Sequence, residues 1–104
     1  MKLILLIAQK LFLKLKQYNK ALKDCDRALK ISNTYAYALS VSGLIKAAQG
    51  KQAAASEDLK AAIQNAKNDA KEYTYRNYLA DFYRDTRQTA RAIEEYSAAI
   101  HLNP

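Results

Sequence analysis

The sequence predicts an all-α fold built from three tandem helical hairpins. Glycine and proline are nearly absent from the 104 residues, at two and one, and the remaining composition favours helix over strand. A pattern of small and large apolar residues also recurs at offsets of 34 and 37 residues, a spacing typical of a helix-turn-helix repeat. Its copies are Ala21-x3-Cys25-x2-Ala28, Ala55-x3-Leu59-x2-Ala62 and Ala92-x3-Tyr96-x2-Ala99. We therefore expect six antiparallel helices in a single domain spanning residues 1–104.

The first repeat is predicted over about residues 2–35. An apolar helical run covers 3–15, polar residues interrupt it at 16–18, and a second run covers 20–31. Asn19 is a candidate N-cap for the second run because its side chain can accept a hydrogen bond from a free backbone N–H. The pattern therefore predicts a helix, a short turn and a second helix.

The second and third repeats follow the same plan, over about 36–69 and 70–104. Gly50 is the expected left-handed stop of the second turn, and Asp69 with Glu72 forms a predicted capping box at the start of the third repeat. The three additional residues between these repeats should lengthen either a helix or the loop after it. The predicted helices cover 34–48, 52–67, 69–85 and 89–102.

Small residues at seven-residue spacing mark the expected packing face of each second helix. Two helices can approach to roughly 8–10 Å when the residues between them are small. The six alanines of the recurring pattern meet that need, and one larger residue between each pair fills the space between layers. The expected core positions are Ala21, Cys25, Ala28, Ala55, Leu59, Ala62, Ala92, Tyr96 and Ala99.

Charge and cysteine content limit the class of protein. The net charge is +7, and residues 1–35 hold eight Lys or Arg against two acids, so the basic character lies mainly in the first repeat. A solvated lysine surface explains this most simply, although an anionic partner is an alternative. The single cysteine excludes an internal disulfide and indicates a reducing, cytoplasmic setting. We expect no membrane span, because no apolar run approaches roughly 20 residues.

The recurring pattern resembles the tetratricopeptide repeat. The third copy carries Leu79-Ala80-x2-Tyr83 ahead of its alanines, and Phe12 precedes Ala21 by the same nine residues that separate Tyr83 from Ala92. Lys46 departs from the family pattern where an aromatic residue is expected, and so does Gln9 where a small one is expected. The resemblance implies a right-handed α-solenoid whose first helices line a concave groove for a peptide or a partner helix.

Helical geometry then predicts which side chains line that groove. Residues of the first helices that point away from the alanine-bearing helices are the candidates. The predicted groove residues are Lys10, Lys14, Tyr37, Val41, Leu44, Asn77, Tyr78, Asp81 and Arg84. The relatives that grip a chaperone's C-terminal carboxylate use Lys, Asn and Arg at five positions that here hold Leu6, Lys10, Val41, Thr74 and Tyr78. We therefore expect a protein-interaction scaffold without such a carboxylate clamp.

Catalysis and cofactor binding are not expected. His101 has no nearby cysteine or second histidine with which to bind a metal, and acidic pairs such as Glu57 and Asp58 read as solvated surface. The tyrosines between 73 and 83 could stack nucleic-acid bases, but their helical spacing favours the core, so a nucleic-acid partner is not expected.

The apolar helix at 3–15 leaves two alternatives open. Its apolar residues exceed what one neighbouring helix can cover, so the chain either belongs to a longer array or self-associates through this helix as a homo-oligomer.

Overall fold

The computed structural model describes residues 2–32 and 35–104, and for 2–13 and 15 it describes the backbone alone. Every element of regular structure in these two ranges is a helix. The helices are α1 (Lys2–Ile31), α2 (Ala36–Ala48), α3 (Gln52–Asn65), α4 (Glu72–Asp85) and α5 (Thr89–Leu102). The all-α prediction is confirmed for the described part of the chain, whereas the handedness of the stack stays a prediction.

The first hairpin is the main departure from the expected architecture. The predicted interruption at 16–18 is helical, so two expected helices form the single 30-residue α1 and the described ranges hold five helices instead of six. Lysine and glutamine are strong helix formers, and Asn19 alone does not stop a helix. The other two turns each contain a residue with positive φ, Gly50 at 79° and Arg87 at 63°.

The remaining helix ends lie close to the predicted ones. The bounds of α5 and the turn before it agree with the prediction, and Gly50 occupies the left-handed stop as expected. The additional residues between the second and third repeats extend the loop, because α3 ends at Asn65 and α4 begins only at Glu72.

The capping box predicted at the start of the third repeat is wrong in its first member. Asp69 lies in the loop, where its carboxylate accepts a hydrogen bond from the backbone N–H of Lys71 at 2.8 Å. Glu72 does reach back, accepting from the backbone N–H of Asn68 at 2.8 Å. Asn68 has a φ of 69°, so the chain turns before the helix and not within the predicted box.

The core lies where the hairpins meet. Helix α2 pairs with α3, α4 pairs with α5, and α3 and α2 both contact α4, while α1 packs against α2. The alanines of the second and third repeats are buried, as expected from their spacing, and Leu59 is fully enclosed. In the first repeat Cys25 is buried, but Ala21 and Ala28 are only partly covered.

Helices α2 and α3 approach closely at Gly43. A Cβ added there would lie 2.8 Å from Leu59 Cγ and 3.2 Å from the carbonyl oxygen of Ala55. A side chain at this position would therefore displace either a fully buried leucine or helix backbone. The small residue is a packing requirement of the second hairpin.

The described ranges also bear on membrane spans and metal sites. No helix there is both long enough and apolar enough to cross a membrane. The same residues contain no group of three His, Cys, Asp or Glu side chains placed to hold a metal ion.

Candidate functional site

Three of the predicted groove residues line one cleft between α2 and α4. Leu44 of α2 faces Tyr78 and Asp81 of α4 across a cleft of about 360 Å³, with Phe82 and Asp85 also on its wall. Leu44 is 38% exposed, while Tyr78 is half-buried and packs against the core. The two helices contact each other directly. The first helices of the second and third repeats thus form a shared apolar surface with carboxylates at its margin.

Two further predicted residues lie in a second cleft, between α2 and α1. Tyr37 and Val41 line this cleft of about 310 Å³ together with Tyr35 and Cys25. The rings of Tyr35 and Tyr37 lie 6.1 Å apart between centroids, and both side chains are about half exposed. The predicted groove residues on α2 are therefore divided between two clefts, one toward each neighbouring helix.

Asp81 and Arg84 differ from their predicted orientation. Both were expected to point away from α5, yet the Tyr96 hydroxyl of α5 donates a short hydrogen bond to Asp81, and Arg84 Nη1 donates to that hydroxyl at 3.2 Å. Arg84 also lies 3.6 Å from Asp81 as an ion pair. Helical angles give the direction of a Cα–Cβ bond, whereas these long side chains bend across the helix edge to meet a polar partner.

The Asp81 contact changes the acidity of Tyr96. The hydrogen bond to a carboxylate, together with burial, raises the pKa of the Tyr96 hydroxyl above its usual value. Tyr96 is therefore a neutral donor at physiological pH and holds α4 to α5 at the edge of the cleft. Its ring still packs against the core, in agreement with the predicted core position.

The remaining predicted groove residues are not brought into either cleft. Lys14 is exposed on α1 and Asn77 is half-buried on α4. The side chain of Lys10 lies outside the described residues.

The aromatic series of α4 is mainly structural, as its spacing predicts. Tyr75, Phe82 and Tyr83 are buried, and Arg91 lies over the Tyr83 ring at 5.8 Å from its centroid. Tyr78 remains the member that lines the cleft.

A polar network between α2 and α3 was not predicted from the sequence. Asp58, read as solvated surface, accepts hydrogen bonds from the Ser42 hydroxyl at 2.7 Å and from Lys46 Nζ at 2.8 Å. Ser42 is 2% exposed, so its hydroxyl depends on this partner. The departure of Lys46 from the aromatic family pattern was the available signal, because a lysine at an expected core position needs a carboxylate nearby.

Cys25 is a buried thiol beside two acids. Burial, and then the negative charges of Asp26 and Asp24, raise its pKa above the usual value. A thiol that keeps its proton is a poor nucleophile. Its position in the wall of the α1–α2 cleft therefore suits packing and not nucleophilic catalysis.

Comparison with known proteins identifies the repeat. The family model described as Tetratricopeptide repeat matches residues 3–35. Among curated proteins, none matches the chain significantly. Tetratricopeptide repeats generally mediate protein–protein interactions. The match supports, over residues 3–35, the family that the recurring pattern resembles.

Proposed function

We propose that the chain binds an apolar peptide segment or partner helix in the cleft between α2 and α4. The observation that carries this proposal is the cleft itself, where Leu44 and Tyr78 meet on adjacent first helices. Its volume of about 360 Å³ falls within the range of roughly 300–1,000 Å³ usual for ligand pockets. Aromatic side chains in such a position carry binding energy at low entropic cost.

The margin of the cleft indicates the chemistry of the segment. Asp81 and Asp85 stand on the wall beside Phe82, and the nearby Arg84 pairs with both carboxylates. Two carboxylates against one guanidinium leave a net negative margin. A segment with an apolar anchor and a flanking Lys or Arg fits this combination.

The proposal is tested by selecting peptides on the wild-type protein and measuring their affinities for variants. Leu44→Glu places a carboxylate in the apolar centre, and we expect it to weaken selected peptides by at least about tenfold, since burying an unpaired charge is costly. Ile93→Glu is the matched control, because Ile93 is an exposed apolar residue on α5. Equal affinities for wild type and Leu44→Glu, measured by fluorescence anisotropy, would show that peptides bind elsewhere.

Several finer features belong to the same proposal. The scaffold is a right-handed array of three repeats over about 2–35, 36–69 and 70–104, without catalytic activity of its own. It lacks a chaperone-type carboxylate clamp, because Val41 and Tyr78 occupy clamp positions. A cytoplasmic location is supported by the lone buried thiol of Cys25.

A second candidate function is the binding of an acidic protein segment by the first repeat. Lys16, Lys20 and Lys23 line a cleft of about 550 Å³ on α1 with Gln17 and Asn19. The probe is polyglutamate, and its affinity should fall steeply with the logarithm of salt concentration. We expect Lys20→Gln with Lys23→Gln to flatten that slope. A slope near zero in the wild type excludes this function.

A further inference from the structure

The first repeat has the sequence of a hairpin but lacks its turn. The 34- and 37-residue offsets place Lys16, Gly50 and Arg87 at equivalent positions. Gly50 and Arg87 have left-handed backbones that reverse the chain, whereas Lys16 continues α1 as helix. The family match at 3–35 nevertheless covers about the length of one whole repeat. Residues 2–15 therefore carry a first helix that extends away from its second helix.

An extended α1 leaves the inner face of residues 21–28 without its usual cover. In the second repeat the equivalent residues Ala55 and Ala62 are fully buried. Ala21 and Ala28 are only partly buried, and they line the 310 Å³ cleft against α2. In the second hairpin, α2 lies against both α3 and α4. By the same arrangement, a first helix would lie against residues 21–28 and α2, where this cleft is open.

The first half of α1 cannot fill the cleft in its own chain. A helix of 30 residues is about 45 Å long at 1.5 Å per residue, so residues 2–15 extend along the axis and not across it. Among the described residues, α1 packs against α2 and no other helix. The segment that fits the cleft by sequence is therefore available only from another molecule.

We propose that two copies of this chain exchange residues 2–15, each first helix filling the α1–α2 cleft of its partner. Such an exchange gives the first repeat the same kind of hairpin contacts that the second and third repeats have. It joins the two copies in a closed twofold dimer. Charge supports the same occupant, because residues 2–15 contain three lysines and no acid, while Asp24 stands on the cleft wall. The exchange also brings the partner's Lys10 and Lys14 beside Tyr37 and Val41, which completes the groove surface of α2.

The first test measures mass and covalent linkage. Light scattering should give twice the 11.7 kDa mass of one chain. The repeat offset aligns Gln9 with Gly43 and Cys25 with Leu59, a pair at which α2 and α3 approach closely. Under mild oxidation, Gln9→Cys should form a disulfide with Cys25 of the other copy and run as a dimer on a non-reducing gel. Adding Cys25→Ser should abolish that band.

The alternatives give different products in the same experiment. A cross-linked monomer would show that the hairpin closes within one chain and would overturn the exchange. A wild-type monomer at about 100 µM without any cross-link would overturn it as well. A dimer in which Gln9→Cys does not react with Cys25 would place the interface elsewhere and would also overturn the exchange. Because these readouts require no peptide, they are independent of the proposed binding function.

The second test changes the hinge. Lys16→Gly places glycine at the position equivalent to Gly50, where it can adopt the left-handed conformation of a turn without a Cβ clash. We expect the hairpin to close and the dimer dissociation constant to rise at least tenfold. Lys20→Gly is the matched control, because residue 20 remains helical whether the hairpin is open or closed. Equal dissociation by the two variants, with helix content checked by circular dichroism, would contradict the exchange.

Discussion

The close approach of α2 and α3 can be tested by a double-mutant cycle at Gly43 and Leu59. The Cβ introduced by Gly43→Ala would lie 2.8 Å from Leu59 Cγ and 3.1 Å from Cδ2. Overpacking of this kind costs about 1–3 kcal/mol, and replacing a helical glycine by alanine returns about 1 kcal/mol. The single variant should therefore be less stable than the wild type by up to about 2 kcal/mol.

Removing the leucine side chain should remove most of this destabilisation. Leu59 is fully buried, so Leu59→Ala alone should cost about 2–5 kcal/mol. It also removes both leucine atoms that the new Cβ of Gly43→Ala would meet. In this background the new Cβ still lies 3.2 Å from the carbonyl oxygen of Ala55. The glycine replacement should therefore range from neutral to stabilising by up to about 1 kcal/mol through helix propensity. The coupling between the two sites should thus be about 1–3 kcal/mol.

Urea unfolding followed by circular dichroism at 222 nm measures all four members of the cycle, with a common m-value as the check on two-state behaviour. Gly50→Ala is the control, since no atom lies within 4 Å of its added Cβ and its cost comes from a φ of 79°. That cost, about 1–2 kcal/mol, should be equal in both backgrounds. Additive free energies for Gly43→Ala and Leu59→Ala would refute the packing explanation.

Three further outcomes follow from the polar contacts. Hydrogen bonds from Asn68 and Arg76 lower the pKa of Glu72. Its contribution to the free energy of unfolding is therefore present above the unfolded pKa of about 4.3 and is lost as pH falls through the lower folded value. Glu72→Gln should flatten the pH dependence of that free energy, measured by urea unfolding, between about pH 5 and 3. Asp58→Ala should cost about 1–3 kcal/mol because Ser42 loses its acceptor, whereas alanine at the exposed Glu57 should change thermal stability by less than about 0.5 kcal/mol. Tyr96→Phe should cost about 0.5–1.5 kcal/mol in urea unfolding; no loss would mean that its hydroxyl bond adds nothing.

The sequence predicts the second and third hairpins well because strong local signals and packing agree there. The turn before α5 illustrates this, since the Thr86 hydroxyl donates to the carbonyl of Phe82 at 2.9 Å and the Gln88 N–H donates to Tyr83 at 2.7 Å. At the equivalent of Thr86 the first repeat has Leu15, which offers no such hydroxyl. This difference alone does not identify the missing turn, because the second repeat turns with Gln49 at the same position.

The Lys16 position shows why the prediction was nevertheless ambiguous. A basic residue stands at both Lys16 and Arg87, yet only Arg87 adopts the left-handed conformation. The tertiary contacts around a turn decide between these outcomes, and they are not encoded in local propensity.

Helical periodicity predicts which apolar side chains share the cleft better than it predicts the partners of the polar ones. Leu44 and Tyr78 lie in the expected cleft because apolar side chains follow the face set by helical periodicity. Asp81 also lines this cleft, but it and Arg84 bond to Tyr96. Long polar side chains follow the nearest partner, and that partner is on a neighbouring helix which periodicity alone does not locate.

The buried carboxylate at the start of α4 has a consequence for the stiffness of the array. Glu72 accepts a hydrogen bond from the backbone N–H of Asn68 in the loop. Arg76 forms ion pairs with Glu72 and with Glu95 of α5, each with a nitrogen–oxygen distance of 2.9 Å. At the other end of the loop, Ala66 is anchored in the core. Only Lys67 lies between Ala66 and Asn68, so the longer connection adds almost no flexibility between the hairpins. These contacts therefore fix the distance and angle between the second and third hairpins. A ligand that spans α2 and α4 meets two helices held at a constant separation.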